Sequence, residues 1–429
     1  MGYFKNLELE TEDRGYDRVD GAICMKHVVD PCLLAELQEE PNPAPCSICG
    51  SRGSKPRASL ETLMKPVMDA ITFLYMPDPW ESPESDRSSY TPLDVVQDVC
   101  HSAFDAEQED LLLTLAKTLR SDIWIENYHR SSLQATIWGW EQFVQDVKSA
   151  SRFVFTRNNL SFDGVGSPGE RSSAFLSSLL PYVDNHEYRL VRSIPAGTPF
   201  YRGRLVGKRT DSMASAEKLG PAPADKASSN RMSPTGIPMF YASASPATAV
   251  KEIAAHGTER YARIGEFVGL RELSVLDLTQ LPKLPSIFDK AERNSHGILA
   301  FVRRFTEEVT SPIDPSAVEE LEYVPTQVVT EFFRWVPETR IDGIKLKSAQ
   351  DGGDTFVLFF TASDFVDGPV DSQIHADTSS APGPYVEDAS VSGLHKPTFS
   401  LNPMNVHTYE VFRSVRTKLL RDKYGDRST

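Results

Sequence analysis

Near residue 186 the hydrophobic rhythm of the chain changes, and this change restricts what the two halves can fold into. Before it, apolar residues recur three and four apart in LETLMKPVMDAITFLYM, TPLDVVQDVCHSAF, AEQEDLLLTLAKTLRSD and LQATIWGWEQFVQDVKSA, the spacing of helices that bury one face. Ser59 ahead of Glu61, and Thr91 with Pro92, are helix-start signals. Beyond residue 186, short β-rich runs (EYRLVRSI, TPFYRG, IPMFYAS, LSVLDL, TFVLFFTA) alternate with helical stretches such as PATAVKEIAAH, which indicates an α+β domain. The expected organisation is a small zinc-binding segment at 1–55, a helical domain at 56–185, an α+β domain at 186–365, a flexible linker at 366–398 and a carboxyl-terminal helix at 399–429.

A length of 429 residues suits two or three such units. The net charge of −15 opposes a nucleic-acid backbone, while a few local arginines could still hold a small anion. No apolar run approaches the roughly 18 to 20 residues that cross a bilayer, and the acidic amino terminus is unlike a secretion signal. A cytoplasmic protein with neither a nucleic-acid nor a membrane partner is therefore expected. Five cysteines are too few for a disulfide scaffold over this length.

Four of those cysteines lie between residues 24 and 49. Cys24 and His27 form one pair separated by two residues, and Cys46 and Cys49, followed by Gly50, form another. Such pairs let a tight turn present two ligands to a tetrahedral ion, so a structural zinc site is expected, with Cys32 as a rival ligand and buried free cysteines as the alternative. Gly164, Gly166 and Gly169 satisfy G-x-G-x-x-G, but Pro168 and the lack of a βαβ context make this a loop ahead of a helix. The phosphate-loop, zinc-protease and serine-hydrolase motifs do not occur.

The α+β region carries a longer constellation: Phe200-Tyr201-Arg202-Gly203-Arg204; Arg231-Met232-Ser233-Pro234 with Gly236 and Ile237, then Phe240-Tyr241; Thr248-Ala249 with Glu252; Gln327; and Ser348 ahead of Gly353-Asp354. Taken singly, each residue would be an ordinary surface or helix-face group. In this order they resemble the RES domain, through about residues 186–362.

That resemblance implies a fold like the ADP-ribosyltransferase toxins and an enzyme that cleaves NAD⁺, as glycohydrolase or phosphorylase, between nicotinamide and ribose. Glu252 would stabilise the oxocarbenium-like ribose. Arg202 and Arg231 would hold phosphate or ribose, Tyr201 and Tyr241 would line the nicotinamide slot, and Ser348, with Gln327 on the same wall, would hydrogen-bond ribose or phosphate. Many RES domains are toxins of toxin–antitoxin pairs, so an antitoxin or regulatory protein is an expected partner; a homo-oligomer stays open.

Two departures stand out. Asp354 replaces the common asparagine, and Leu346 replaces a usual tyrosine. The amino-terminal half resembles the HEPN-class extension that precedes some RES domains, although neither His101 nor His129 has an arginine at the spacing of HEPN ribonucleases. Deleting residues 1–185 is expected to leave a core that still cleaves NAD⁺. The alternatives are transfer of ADP-ribose to a macromolecule, and a non-catalytic zinc-containing interaction protein with a degenerate nucleotide-binding domain.

Overall fold

The computed structural model describes residues 14–37, 44–52, 57–78, 89–105, 109–127, 134–154, 168–184, 188, 190–311, 319–368 and 397–413. The chain divides into two compact units, one of Met1–Tyr188 with Leu281–Phe305 and the other of Arg189–Gln280 with Thr306–Thr429. The boundary expected at 185/186 thus falls three residues later. Residues 281–305, inside the expected α+β domain, belong to the first unit.

In the first unit, strands β1 (Ala22–Cys24) and β2 (Arg57–Ser59) pair antiparallel, as do β3 (Tyr75–Pro77) and β4 (Trp124–Glu126). The expected helix starts form: Ser59 Oγ accepts the Thr62 amide ahead of the helix Leu60–Leu74, and Thr91 and Asp94 close a reciprocal cap on Pro92–Cys100. Leu60, Leu63, Val67 and Ile71, three and four apart, are fully buried. They share one core with Ile23, Val28 and Leu33, so the cysteine-bearing segment is part of the helical unit and not a domain of its own. The helices Gln134–Ser149 and Pro168–Asp184 meet where a Cβ on Gly139 would lie 2.7 Å from the Phe175 ring. The glycine loop before Pro168 lies outside the described residues.

The second unit is a mixed sheet of nine strands, with β5 (Val191–Ile194), β6 (Pro199–Val206), β7 (Phe240–Ser243), β8 (Tyr261–Gly269), β9 (Leu273–Asp277), β10 (Gly343–Lys347), β11 (Asp354–Leu358), β12 (Phe365–Asp367) and β13 (Phe399–Glu410) in the order β12-β13-β8-β6-β7-β11-β10-β9-β5. Strand β6 pairs with β8 over eight positions but with β7 only at Tyr201↔Ser243. Two well-laddered halves therefore meet at a narrow seam. Phe200, Phe240, Phe267, Phe356 and Phe399 fill one face of the sheet, and the helix Pro246–Ala254 packs Ala249 against Ala262 and Ile264 on the other. This is the expected α+β class.

The expected carboxyl-terminal helix is not what residues 399–410 form. They make β13, antiparallel to β8, with a bulge between Leu401 and Val406. Pro403 lacks the amide an interior helical turn needs, and Phe399 and Leu401 alternate into the core, so strand pairing wins. The rest of that segment, 414–429, and residues 369–396 of the expected linker lie outside the described residues. Among the described residues no helix is long and apolar enough to cross a membrane.

Candidate functional site

The helix Pro246–Ala254 begins on Ser245, whose Oγ accepts the Thr248 amide at 3.1 Å, with proline at the first helical position where no amide is needed. This start sets the register that turns Thr248 and Glu252, one turn apart, toward the turn 348–353 between β10 and β11. There the Ser348 hydroxyl donates to Glu252 Oε1. The Ser348 amide donates to the Gly353 carbonyl at 2.7 Å and the Gly352 amide to the Ser348 carbonyl at 2.9 Å. Gly352 has φ +73°, a conformation that favours glycine. The Ala244 amide donates to the Asp354 carbonyl at 2.9 Å, which holds the turn beside the helix start.

Alternation along β6 sends Tyr201 and Arg202 to opposite faces. Tyr201, like Leu205 and Ile253, packs against the cluster of Ala249, Ala262 and Ile264 under the helix, and its hydroxyl donates to Glu266 Oε2 at 3.0 Å; burial first, then Glu266, raises the phenol above its ordinary pKa. Arg202 lies over the Phe240 ring, 5.5 Å from its centroid, and donates from Nη1 to the Tyr241 carbonyl at 3.0 Å. It thereby bridges the seam next to the single β6–β7 pair. Burial first, then Arg204, pushes the guanidinium down to about 10, so it remains charged at neutral pH. The buried Nε atoms of Arg202 and Arg204 meet no acceptor within the described protein. Arg202→Lys is expected to cost about 1–3 kcal/mol, because one ammonium cannot both cover the Phe240 ring and keep this bond. An unchanged urea transition would show that the seam does not depend on the guanidinium.

Tyr241 aims its hydroxyl at Ser233 Oγ, 2.8 Å away, and burial pushes its pKa up to about 12. Arg231 donates from Nη1 to the Glu308 carbonyl at 2.5 Å, near the end of the helix His296–Thr310 where a cation is favoured. Its guanidinium stands 5.9 Å from the Tyr323 ring centroid. Gln327 is a fastener: its Nε2 donates to Ser229 Oγ at 3.1 Å and to the Asn230 carbonyl at 2.7 Å, fixing the loop that bears Arg231 and Ser233. The structure thus joins Glu252 to Ser348, Arg202 to Tyr241, and Tyr241 to the Arg231 loop through Ser233. No hydrogen bond or ion pair among the described residues links either arginine to Glu252.

The departures at positions 346 and 354 acquire physical roles. Leu346 is buried. Burial alone would raise the Asp354 carboxyl, but Lys347 at 2.5 Å and Lys345 at 2.9 Å hold it below its ordinary pKa and neutralise its charge. Ser233 was not among the expected site residues. It stands inside the Arg231-Met232-Ser233-Pro234 motif, but only the fold turns it toward Tyr241.

In the first unit, Cys24, His27, Cys46 and Cys49 bring their ligand atoms within 4.8 Å of one another. Ligands at about 2.0–2.3 Å from a tetrahedral ion lie roughly 3.3–3.8 Å apart, inside this limit. The Cys24 amide donates to Cys46 Sγ at 3.3 Å, and Gly50, at φ +63°, completes the turn after Cys49. Asp105 holds His27 Nδ1 at 2.9 Å, leaving Nε2 buried with no hydrogen-bond partner among the described residues and available to ligate a metal. The donor set could therefore hold a metal ion. Cys32 is not part of it; its thiol faces Asp289 Oδ2 at 3.9 Å. Asp105 lies 78 residues from His27 in a helix-free segment, and nothing local in the sequence marks it.

Comparison with protein-family models gives two matches, the RES domain over residues 204–379 and HEPN/RES N-terminal domain 1 over residues 39–161. The RES match begins two residues after Arg202 and takes in Arg231, Tyr241, Glu252, Gln327 and Ser348. Comparisons with curated proteins and with solved structures gave no match. The chain therefore carries a RES domain preceded by a HEPN/RES N-terminal domain.

Proposed function

We propose that this RES domain cleaves NAD⁺ between nicotinamide and ribose and passes ADP-ribose to water or inorganic phosphate. The observation that carries the reading is the Ser348–Glu252 hydrogen bond, which pairs a carboxylate with a hydroxyl donor at the edge of the seam. As the C–N bond breaks, its electron pair leaves with neutral nicotinamide, and the positive charge left on ribose faces the Glu252 carboxylate. The acceptor oxygen then bonds to the anomeric carbon, with release of a proton when water attacks. The buried, unpartnered Nε donors of Arg202 and Arg204 suit the pyrophosphate, and the Tyr241 carbonyl anchors Arg202 beside the seam. An enzyme that drains NAD⁺ would serve as a toxin or defence effector and would need a restraining partner.

The test is mass spectrometry of NAD⁺ incubated with the full-length protein, with and without phosphate. ADP-ribose, or its phosphorylated form when phosphate is present, is expected. NAD⁺ that stays intact under both conditions would contradict the reading.

The metal reading is zinc in a structural role, because three thiolates and an imidazole satisfy a tetrahedral ion and leave no open position. Replacing Cys46 and Cys49 together with serine is expected to remove one equivalent of zinc and to destabilise the first unit by several kcal/mol, on the order of part of a structural site's binding energy. Elemental analysis and thermal unfolding check both. A metal-free, equally stable wild-type protein would favour buried free thiols.

A further inference from the structure

We infer that Asp351 is a positioning residue of the NAD⁺-cleaving site, one that clamps the turn 348–353 onto the helix Pro246–Ala254 so that the Ser348 hydroxyl stays within reach of the Glu252 carboxylate. The inference rests on the proposed function and adds a residue to it.

Three contacts converge on this carboxylate from both sides of the junction. Oδ2 accepts the Thr248 hydroxyl at 3.2 Å and the Lys251 ammonium at 3.1 Å from the helix. Oδ1 accepts the Gly353 amide at 3.0 Å within the turn. Thr248 is buried, and a Cβ on Gly353 would lie 2.4 Å from its Oγ1, so helix and turn are already in contact. The Gly353 amide first, then Lys251, holds the Asp351 carboxyl below its ordinary pKa, and the clamp stays ionised at neutral pH.

The clamp is distinct from the Ser348–Glu252 bond, although the Ser348 hydroxyl also helps to hold the Asp351 carboxyl down. Ser348 reaches Glu252 directly, but a carboxylate that turns to a ribose must loosen that bond. A turn held only by it would then drift. Asp351 fixes the same turn three residues away, through Thr248 on the helix that also carries Glu252, so hydroxyl and carboxylate keep their spacing while Glu252 engages substrate.

The experiment is a kinetic cycle on the full-length protein, with Asp351→Asn, Thr248→Val, Ser348→Ala and the combinations of each clamp variant with Ser348→Ala. Asparagine cannot pair with Lys251, and valine keeps the branched shape of threonine without its hydroxyl. Either clamp variant is expected to lower kcat for nicotinamide release about 10- to 100-fold with a smaller change in KM. In the Ser348→Ala background the further loss should shrink to less than about threefold, because the clamp acts through Ser348. An active wild type whose Asp351→Asn and Thr248→Val variants turn over normally, or lose as much without Ser348 as with it, overturns the inference. A wild type that releases no nicotinamide overturns the proposed function, and the positioning role with it.

Discussion

Glu252→Gln is expected to lower nicotinamide release by about 10²- to 10³-fold or more while the protein stays folded. Glutamine keeps the length of the side chain and an oxygen that can accept from the Ser348 hydroxyl, so the turn 348–353 need not move. On the proposed mechanism it removes the one property that the transition state would use more than the ground state, a full negative charge facing the cationic ribose. The loss should therefore appear in kcat, with NAD⁺ binding little changed. Turnover near that of the wild type would remove Glu252 from the chemistry.

Deleting residues 1–185 is expected to leave an insoluble fragment, in contrast to the active core that the sequence suggests. The first unit includes Leu281–Phe305, where Ile287, Phe288, Phe301 and Phe305 are buried. Ile287 and Phe288 belong to the same core as Leu63, Val67 and Phe104. Phe301 stands 5.4 Å from Trp140 and 5.2 Å from Phe175, and Phe305 is 6.3 Å from Trp140. Arg293 pairs with Asp69 at 2.7 Å and covers the Phe73 ring. Each large apolar side chain is worth about 1.5–3 kcal/mol of burial, so exposing four of them approaches the roughly 5–15 kcal/mol that holds a domain folded. Size-exclusion chromatography of residues 186–429 checks this; a monomeric, soluble fragment with native secondary structure would contradict it.

Much of the fold was legible because local pattern and tertiary environment agree. The caps at Ser59 and Thr91 and the apolar stripe of Leu60–Leu74 needed no information from elsewhere in the chain. The paired spacing of Cys24, His27, Cys46 and Cys49 identified the cluster that the fold assembles. Three features were not legible, and each depends on distant partners. β13 is a strand because β8 offers an open edge, which the helix-like spacing of its apolar residues concealed. Residues 281–305 read as a continuation of the α+β half, and only their aromatic partners assign them to the first unit. Within the site, Glu252 and Ser348 meet across 96 residues, whereas Arg202 and Tyr201, neighbours in sequence, part to opposite faces of one strand.

The central claim is that the carboxylate beside Ser348 takes part in breaking the nicotinamide–ribose bond. Chromatographic measurement of free nicotinamide from NAD⁺, for the full-length wild type and Glu252→Gln side by side, tests it most directly. Nicotinamide that accumulates with the wild type, in step with loss of NAD⁺, and stays at background with Glu252→Gln is the predicted result. Equal release by both proteins, or none by the wild type, would contradict it.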